Sequence, residues 1–159
     1  MSVLSRSRPP PSLEVPAVLF ATSTLPRWKS DPEARFVLDL ARHLPPDWDP
    51  LILAPAAPGA AAREHLDGVE VRRYRYAPFK RWETLCYPGS TLGRVQARPA
   101  LLSLVPGLLA GLRHAVATEL HRRPFDCVHA HWLFPQGLVH ALGFTGAHHP
   151  PLVVTSHGR

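Results

Sequence analysis

The sequence predicts an α/β fold in which a parallel sheet is covered by helices on both faces. Three observations predict it. Short apolar runs of strand length recur along the chain, and the segments between them carry apolar residues at helical spacing. Proline, glycine and aspartate fall between these segments and mark the turns. Strands that alternate with helices pair in parallel, because each crossover helix returns the chain to the same end of the sheet.

The first half of the chain is expected to hold three strands and one main helix. The sequence Asp31-Pro32-Glu33 predicts the helix start, with aspartate as N-cap and proline at the first helical position. An apolar face formed by Phe36, Val37, Leu40, Ala41 and Leu44 continues the helix until Pro45-Pro46 ends it. One further helical turn is expected within residues 59–66. The five strands expected in the whole sheet lie near residues 17–22, 50–54, 69–75, 126–130 and 152–156.

The second half is expected to hold two helices. Residues 77–98 have no clear period, and we interpret them as a long loop. An apolar face from Leu108 to Leu120 predicts a helix that begins or kinks near Pro106. Phe134-Pro135 opens another helix, which runs to about Leu142.

Composition bounds the class of protein. A chain of 159 residues predicts one domain, here residues 16–159 after a disordered leader at 1–15. The formal net charge of +6 suits anionic partners such as phosphorylated ligands, nucleic acid or an acidic membrane surface, without choosing among them. Two cysteines form no disulfide framework and favour a reducing compartment. The most apolar run, residues 101–112, is expected to be too short to span a bilayer.

Ligands of parallel sheets bind beyond the carboxyl ends of the strands, so the loops there hold the candidate site residues. The loop after the first strand contains Arg27 and Lys29 and is expected to run into a helix N-terminus, which favours anions. We interpret it either as a phosphate or acceptor loop or as an ordinary capped loop with solvated basic residues. It contains no glycine-rich phosphate fingerprint.

Histidines follow the fourth and fifth strands. His129 and His131 are two residues apart and share one side of their strand, with His131 at its end. We expect His131 to orient a hydroxyl, contact a phosphate or transfer a proton, and His129 to be a buried structural residue. His157-Gly158 lands on the same sheet edge as His131, and side chains that leave neighbouring strand ends can share a ligand.

Three other interpretations stay open at this point. Basic and aromatic residues alternate in 72–76 and 80–82, as on nucleic-acid-binding surfaces, although charges that keep an edge strand soluble explain them more simply. His129, His131, His149 and His157 are candidate zinc ligands, but neither a cysteine nor a carboxylate completes a convincing spacing. The chain can also be a binding or interaction domain without catalysis.

Several segments together resemble the start of the family-4 glycosyltransferases, which have the GT-B fold. The resemblance covers most of residues 17–159. It includes the first strand, its Pro-Arg loop and the helix after it, and then the strand that ends at Pro55. It also includes Asp67-Gly68-Val69 with Arg73. The acceptor-side signature of that family is similar to His129-Ala130-His131-Trp132 with Pro135 and Gly137, and to Thr155-Ser156-His157-Gly158.

The resemblance implies a Rossmann-like domain that forms the acceptor side of an enzyme with two such domains. That enzyme transfers a sugar from a nucleotide-sugar donor to a sugar, a lipid-linked or a small-molecule acceptor, without metal, cofactor or nucleic acid. His131 is then the catalytic residue that faces the transferred sugar, and Arg27, Lys29, Trp132, His157 and Gly158 bind substrate.

Most donor contacts lie in a C-terminal domain of such enzymes, so the chain resembles an incomplete N-terminal half that we expect to be inactive alone. The location implied is cytoplasmic, with peripheral contact at the inner face of a membrane. One departure concerns the first loop. Many family members carry paired glycines near the donor diphosphate, whereas this chain has Trp28-Lys29-Ser30-Asp31.

Overall fold

The computed structural model describes residues 15–144, 146 and 148–156. They form a six-stranded sheet with helices on both faces, so the predicted fold class is confirmed. The strands are β1 (Ala17–Ala21), β2 (Asp49–Pro55), β3 (Arg63–Leu66), β4 (Val69–Tyr74), β5 (Cys127–His131) and β6 (Leu152–Thr155). The helices are α1 (Phe36–Arg42), α2 (Thr91–Ala97), α3 (Val105–Arg122) and α4 (Leu138–Gly143), with short 3-10 segments at Lys80–Trp82 and Pro99–Leu104.

The strand order across the sheet is β3-β4-β2-β1-β5-β6. The five expected strands are all present, and every pair they form is parallel. The chain moves from β1 to β2 in one direction and later returns to place β5 on the other side of β1. The order therefore reverses between β1 and β5, which is the position where open α/β sheets bind ligands.

Strand β3 corrects the expectation of a helical turn in residues 59–66. It pairs antiparallel with β4 through the turn at Asp67-Gly68, where both residues have positive φ. Arg63, Glu64 and His65 have no helical apolar spacing, and their charges suit a strand at the exposed margin of a sheet. Pairing with β4 thus determines the strand conformation of residues 63–66, whose own sequence pattern favours neither a helix nor a strand strongly.

Helix α1 is shorter than expected and begins at Phe36 rather than at Pro32. Asp31 is not its N-cap, because the Asp31 carboxylate accepts hydrogen bonds from the backbone and guanidinium of Arg27. The buried face also differs from the predicted one. Val37, Leu38 and Ala41 are buried, whereas Phe36 and Leu40 remain exposed.

The expected long loop at 77–98 contains helix α2. Ser90 is its N-cap, with the Ser90 Oγ accepting from the backbone N–H of Gly93 at 3.1 Å. No α2 residue is fully buried. The sequence pattern did not predict α2, because a helix without a buried face needs no apolar residues at helical spacing.

Two hydrophobic cores lie on the two faces of the sheet. One face packs against α3 through Leu108, Leu112 and Val116. The other packs against α1 through its buried residues. Side chains of β1 divide between the two faces, with Leu19 on the α3 side and Phe20 on the α1 side. The sheet is thus a middle layer between two helical layers.

Helix α3 approaches the end of β4 with almost no space between backbones. A Cβ added at Gly107 would lie 2.2 Å from the carbonyl oxygen of Tyr76, and one added at Gly111 would lie 2.3 Å from that of Arg75. Only glycine permits this contact, and the two positions lie one turn apart on the same side of α3.

The helical stretch Pro99–Arg122 is, by length and composition, long and apolar enough to cross a membrane. This differs from the expectation of a run that is too short, because Pro106 lies in the first turn of α3 and does not interrupt it. In the fold, one side of α3 packs on the sheet through Leu108, Leu112 and Val116.

Candidate functional site

The candidate site lies at the carboxyl ends of β1 and β5, where the strand order reverses. The loop after β1 begins with Thr22 and Ser23, which are both buried. The backbone N–H of Thr22 donates to the carbonyl of Leu53 in β2, so this loop starts as a continuation of the sheet. Trp132 follows β5 and donates its N–H to the carbonyl of Thr155 at 2.9 Å. Backbone hydrogen bonds to the neighbouring strands therefore fix the first residue after β1 and the first residue after β5.

His131 is at the end of β5 as predicted, but it is not a loosely packed cleft residue. Only 1% of it is exposed. Its ring stacks on Phe20 at 5.9 Å and on His129 at 4.3 Å between centroids. His131 is buried because both histidines point to the α1 face, where Phe36 covers the strand end. A side chain at a strand end that faces a ligand is expected to pack little, and the burial of His131 shows that this expectation is wrong here.

His129 was expected to be buried and is only partly so. It is half-buried, and its Nε2 lies 2.7 Å from the hydroxyl of Thr155 in β6. This contact joins the side chains of β5 and β6 on the α1 face. Of the two histidines, His129 is the more exposed one, which reverses the expected order of burial.

Phe36 and Trp132 form an aromatic rim above His131. The Phe36 ring centroid lies 6.0 Å from that of His131 and 6.5 Å from that of Trp132. Trp132 has φ of 79°, a conformation that is uncommon for a residue with a side chain and that is concentrated at functional sites. The rim brings the first residue of α1 and the first residue after β5 to one point.

The loop after β1 is closed by an ion pair between Arg27 and Asp31. Arg27 donates Nε and one terminal nitrogen to the two carboxylate oxygens at 2.7 and 2.9 Å. The hydrogen bond from Arg27 lowers the pKa of the buried Asp31 carboxyl. Arg27 therefore holds the loop, and Lys29 is the exposed cation beside it. The helix N-terminus expected directly after this loop lies instead at Phe36, and the anion site at that terminus stays a prediction.

Arg73 positions the same loop from β4. Its side chain is 1% exposed, and it donates to the carbonyl of Pro26 at 2.6 Å. It also contacts the Glu64 carboxylate at 3.3 Å and the Tyr87 hydroxyl at 3.4 Å. The sequence offered one signal for this role. Alternation along the predicted strand puts Arg73 on the same side as the apolar Val69 and Val71, and an arginine buried there needs several partners.

Sequence reasoning assigned no role to Gln136 and His140. Gln136 is fully buried in the turn between β5 and α4, and its amide has no hydrogen-bond partner among the described residues. The Nε2 of His140, one turn later, is likewise without a partner in the described part of the chain. Burial lowers the pKa of His140 to about 4, so this imidazole is neutral at neutral pH. The signal was a pair of polar residues four apart in the segment predicted as a helix from Phe134 to about Leu142, which is otherwise largely apolar.

The remaining predicted site residues have different outcomes. His157 and Gly158 lie outside the described residues, so their convergence with His131 stays a prediction, although His131 and Thr155 are paired across β5 and β6. Within the described residues, no three histidine, cysteine or carboxylate side chains are grouped for a metal ion. Burial raises the pKa of Cys86 to about 12, which makes this thiol unreactive.

Comparisons with protein-family models, with curated proteins and with solved structures give no match for this chain.

Proposed function

We propose that this chain is the acceptor-side domain of a nucleotide-sugar-dependent glycosyltransferase. The proposal rests on the sequence resemblance, and one observation of the fold supports it. The resembling segments, His131 with Trp132 and the loop after β1, follow two neighbouring parallel strands at the same end of the sheet, where the strand order reverses. That end is the expected binding position in any open parallel sheet.

The geometry suggests a role for each residue. His131 is held in place by ring contacts, which limits the side-chain entropy it loses on binding, and in this proposal Phe36 must move before a hydroxyl reaches the ring. Trp132 supplies an aromatic surface of the kind that sugars and lipids pack against. Lys29 is an exposed cation for a phosphorylated group, and Arg27 contributes indirectly by holding the loop.

In this proposal the donor diphosphate is bound mainly by a second domain, so the chain alone does not transfer sugar. The acceptor is a sugar, a small molecule or a lipid-linked compound. The proposed location is the cytoplasm, with peripheral contact at the inner face of a membrane.

The test uses donor hydrolysis, because it needs no knowledge of the acceptor. A protein that joins this chain to its donor domain is incubated with a panel of nucleotide sugars, and release of the nucleoside diphosphate is measured. His131→Ala should lower kcat/KM by about 100-fold or more, in the range typical of proton-transfer groups. His114→Ala, an exposed position on α3, is the control and should retain full activity.

A second candidate function is a binding domain without catalysis. The observation that favours it is the ion pair of Arg27 with Asp31, which occupies a cation that a phosphate-binding loop would otherwise use. If His131→Ala folds and leaves hydrolysis unchanged, or if no donor is hydrolysed while a sugar ligand still binds, the binding domain is the better description.

A further inference from the structure

We propose that the connection between β4 and α3 is a docking surface for an anionic lipid membrane. The surface consists of the aromatic turn (residues 79–82), helix α2 and the 3-10 segment Pro99–Leu104. These elements are held together, since Arg94 of α2 donates its Nε to the carbonyl of Thr84 at 2.5 Å. The inference rests on the peripheral membrane contact of the proposed function, for which it names the surface, and its test does not require sugar transfer.

The aromatic turn exposes two large rings. Phe79 is 48% exposed and Trp82 is 45% exposed, and their rings meet edge to face at 4.8 Å between centroids. The Arg81 guanidinium lies over both rings, 4.8 Å from the Phe79 centroid and 5.7 Å from that of Trp82. Aromatic rings next to cations are favoured at the level of lipid headgroups, where the ring is half-buried and the cation meets phosphate.

The charge of the surface is almost entirely positive. Residues 75–104 contain five basic side chains and one acidic side chain, Glu83. Glu83 is buried and forms an ion pair with Arg75, so its charge is neutralised within the fold. The other acidic group nearby is Glu33, which accepts the backbone N–H of Gly89 at the margin of the surface. The remaining cations are Lys80, Arg81, Arg94 and Arg98.

Exposed leucines lie on the helical elements of the surface. Leu92 of α2 is 53% exposed and Leu102 of the 3-10 segment is 56% exposed. Leu101 and Leu104, on either side of Leu102 in the 3-10 segment, pack against the core, so Leu102 is the apolar side chain that this segment presents to solvent. Apolar side chains beside basic ones are the pattern of elements that lie in a membrane interface.

A nucleic acid explains this surface less well. Single strands bind by stacking bases on free aromatic faces. Here Arg81 already covers the two rings, and Leu92 and Leu102 offer no stacking surface. A lipid interface uses the rings, the leucines and the cations together.

The experiment is vesicle flotation with the complete chain. We expect it to bind phosphatidylglycerol-containing vesicles, to release them at high salt, and to bind pure phosphatidylcholine vesicles weakly. Lys80→Gln and Arg81→Gln should each weaken binding about fivefold, and Phe79→Ala with Trp82→Ala should abolish it. The matched controls are Arg122→Gln and Leu142→Ala, which remove an exposed cation and an exposed leucine elsewhere and should bind like the unaltered chain.

Tryptophan fluorescence gives a second readout. Anionic vesicles should shift the emission to shorter wavelength, and Trp82→Phe should remove that shift while it retains binding. The proposal is overturned if neutral vesicles bind equally well, or if the aromatic-turn variants bind like the controls. It is also overturned if the chain binds single-stranded RNA through these residues and does not bind vesicles.

Discussion

His140 is a buried imidazole that links the stability of the fold to pH. Its pKa is about 4 in the folded chain, against 6.5 for an unperturbed histidine, because burial disfavours the charged ring. The unfolded state therefore binds more protons between these two values, and stability is lost as the pH falls from about 6.5 to about 4. The loss amounts to about 3 kcal/mol at most, from 1.36 kcal/mol for each pKa unit.

Urea unfolding at pH 7.5 and pH 4.5 checks this prediction. His140→Leu should flatten the pH dependence of the free energy of unfolding in this window, whereas the exposed His114→Leu should not change it. The lowered pKa values of Asp31 and Asp67 act below about pH 3.8, so their loss of stability is separate. Equal pH dependence of the His140 variant and the unaltered chain would contradict the assignment.

The residue scale also shows why the site was only partly predictable. The position of His131 followed from the strand that precedes it, since strand ends can be located from an apolar run. Its burial did not, because Phe36 and Phe20 come from other elements. Arg27 was expected to bind substrate, which stays a prediction, and its ion pair with Asp31, four residues away, was not expected. The local sequence was enough to select His131 and Arg27 as candidates, but their contacts depend on residues elsewhere in the fold or loop.

At the scale of elements, the two glycines of α3 set how closely it packs on β4. Gly111→Ala should destabilise the domain by about 1–3 kcal/mol, because the added methyl group overlaps a backbone carbonyl that cannot rotate away. This cost outweighs the gain of about 1 kcal/mol that alanine brings to a helix. Chemical denaturation measures the difference.

His114→Ala on the exposed side of α3 is the matched control and should change the stability by about 0.5 kcal/mol at most. If Gly111→Ala were as stable as this control, the close approach of α3 to Arg75 would not exist in solution.

Elements that contribute to a core were easier to predict than elements that do not. Four of the five parallel strands and α3 follow from apolar runs that the cores use, whereas β6 follows from an apolar run that stays largely exposed. Strand β3 and helix α2 depend on pairing with β4 and on the Ser90 cap, and neither produces an apolar period. The same reasoning explains why α1 was expected to start too early, since Pro32 and Asp31 match a helix start by type alone.

At the scale of the whole molecule, one flank of the domain is apolar. Strand β6 exposes Leu152, Val153 and Val154, although it is a strand at the margin of the sheet. Leu138 and Leu142 of α4 are exposed beside it. An edge strand with apolar side chains and no charge can pair with a strand of another chain.

We therefore expect the purified chain to self-associate through β6. Val153→Lys places a charge on this strand and should lower the self-association constant by about tenfold or more, as charged residues do on natural margin strands. Sedimentation velocity over a range of concentrations measures it. His65→Lys on β3 is the control, because that margin is already charged. Concentration-independent sedimentation of the unaltered chain would contradict this.

The difference between the two margins of the sheet also fixes how far such pairing can proceed. At one side lies β6, and at the other lies β3 with Arg63, Glu64 and His65. If two copies join through β6, both remaining margins are β3 strands, whose charges oppose further addition. The contact is symmetric and occupies β6 of both copies, so strand pairing ends at a dimer instead of continuing as a fibre. For strand pairing, the domain is monovalent: each copy pairs with one other copy through β6.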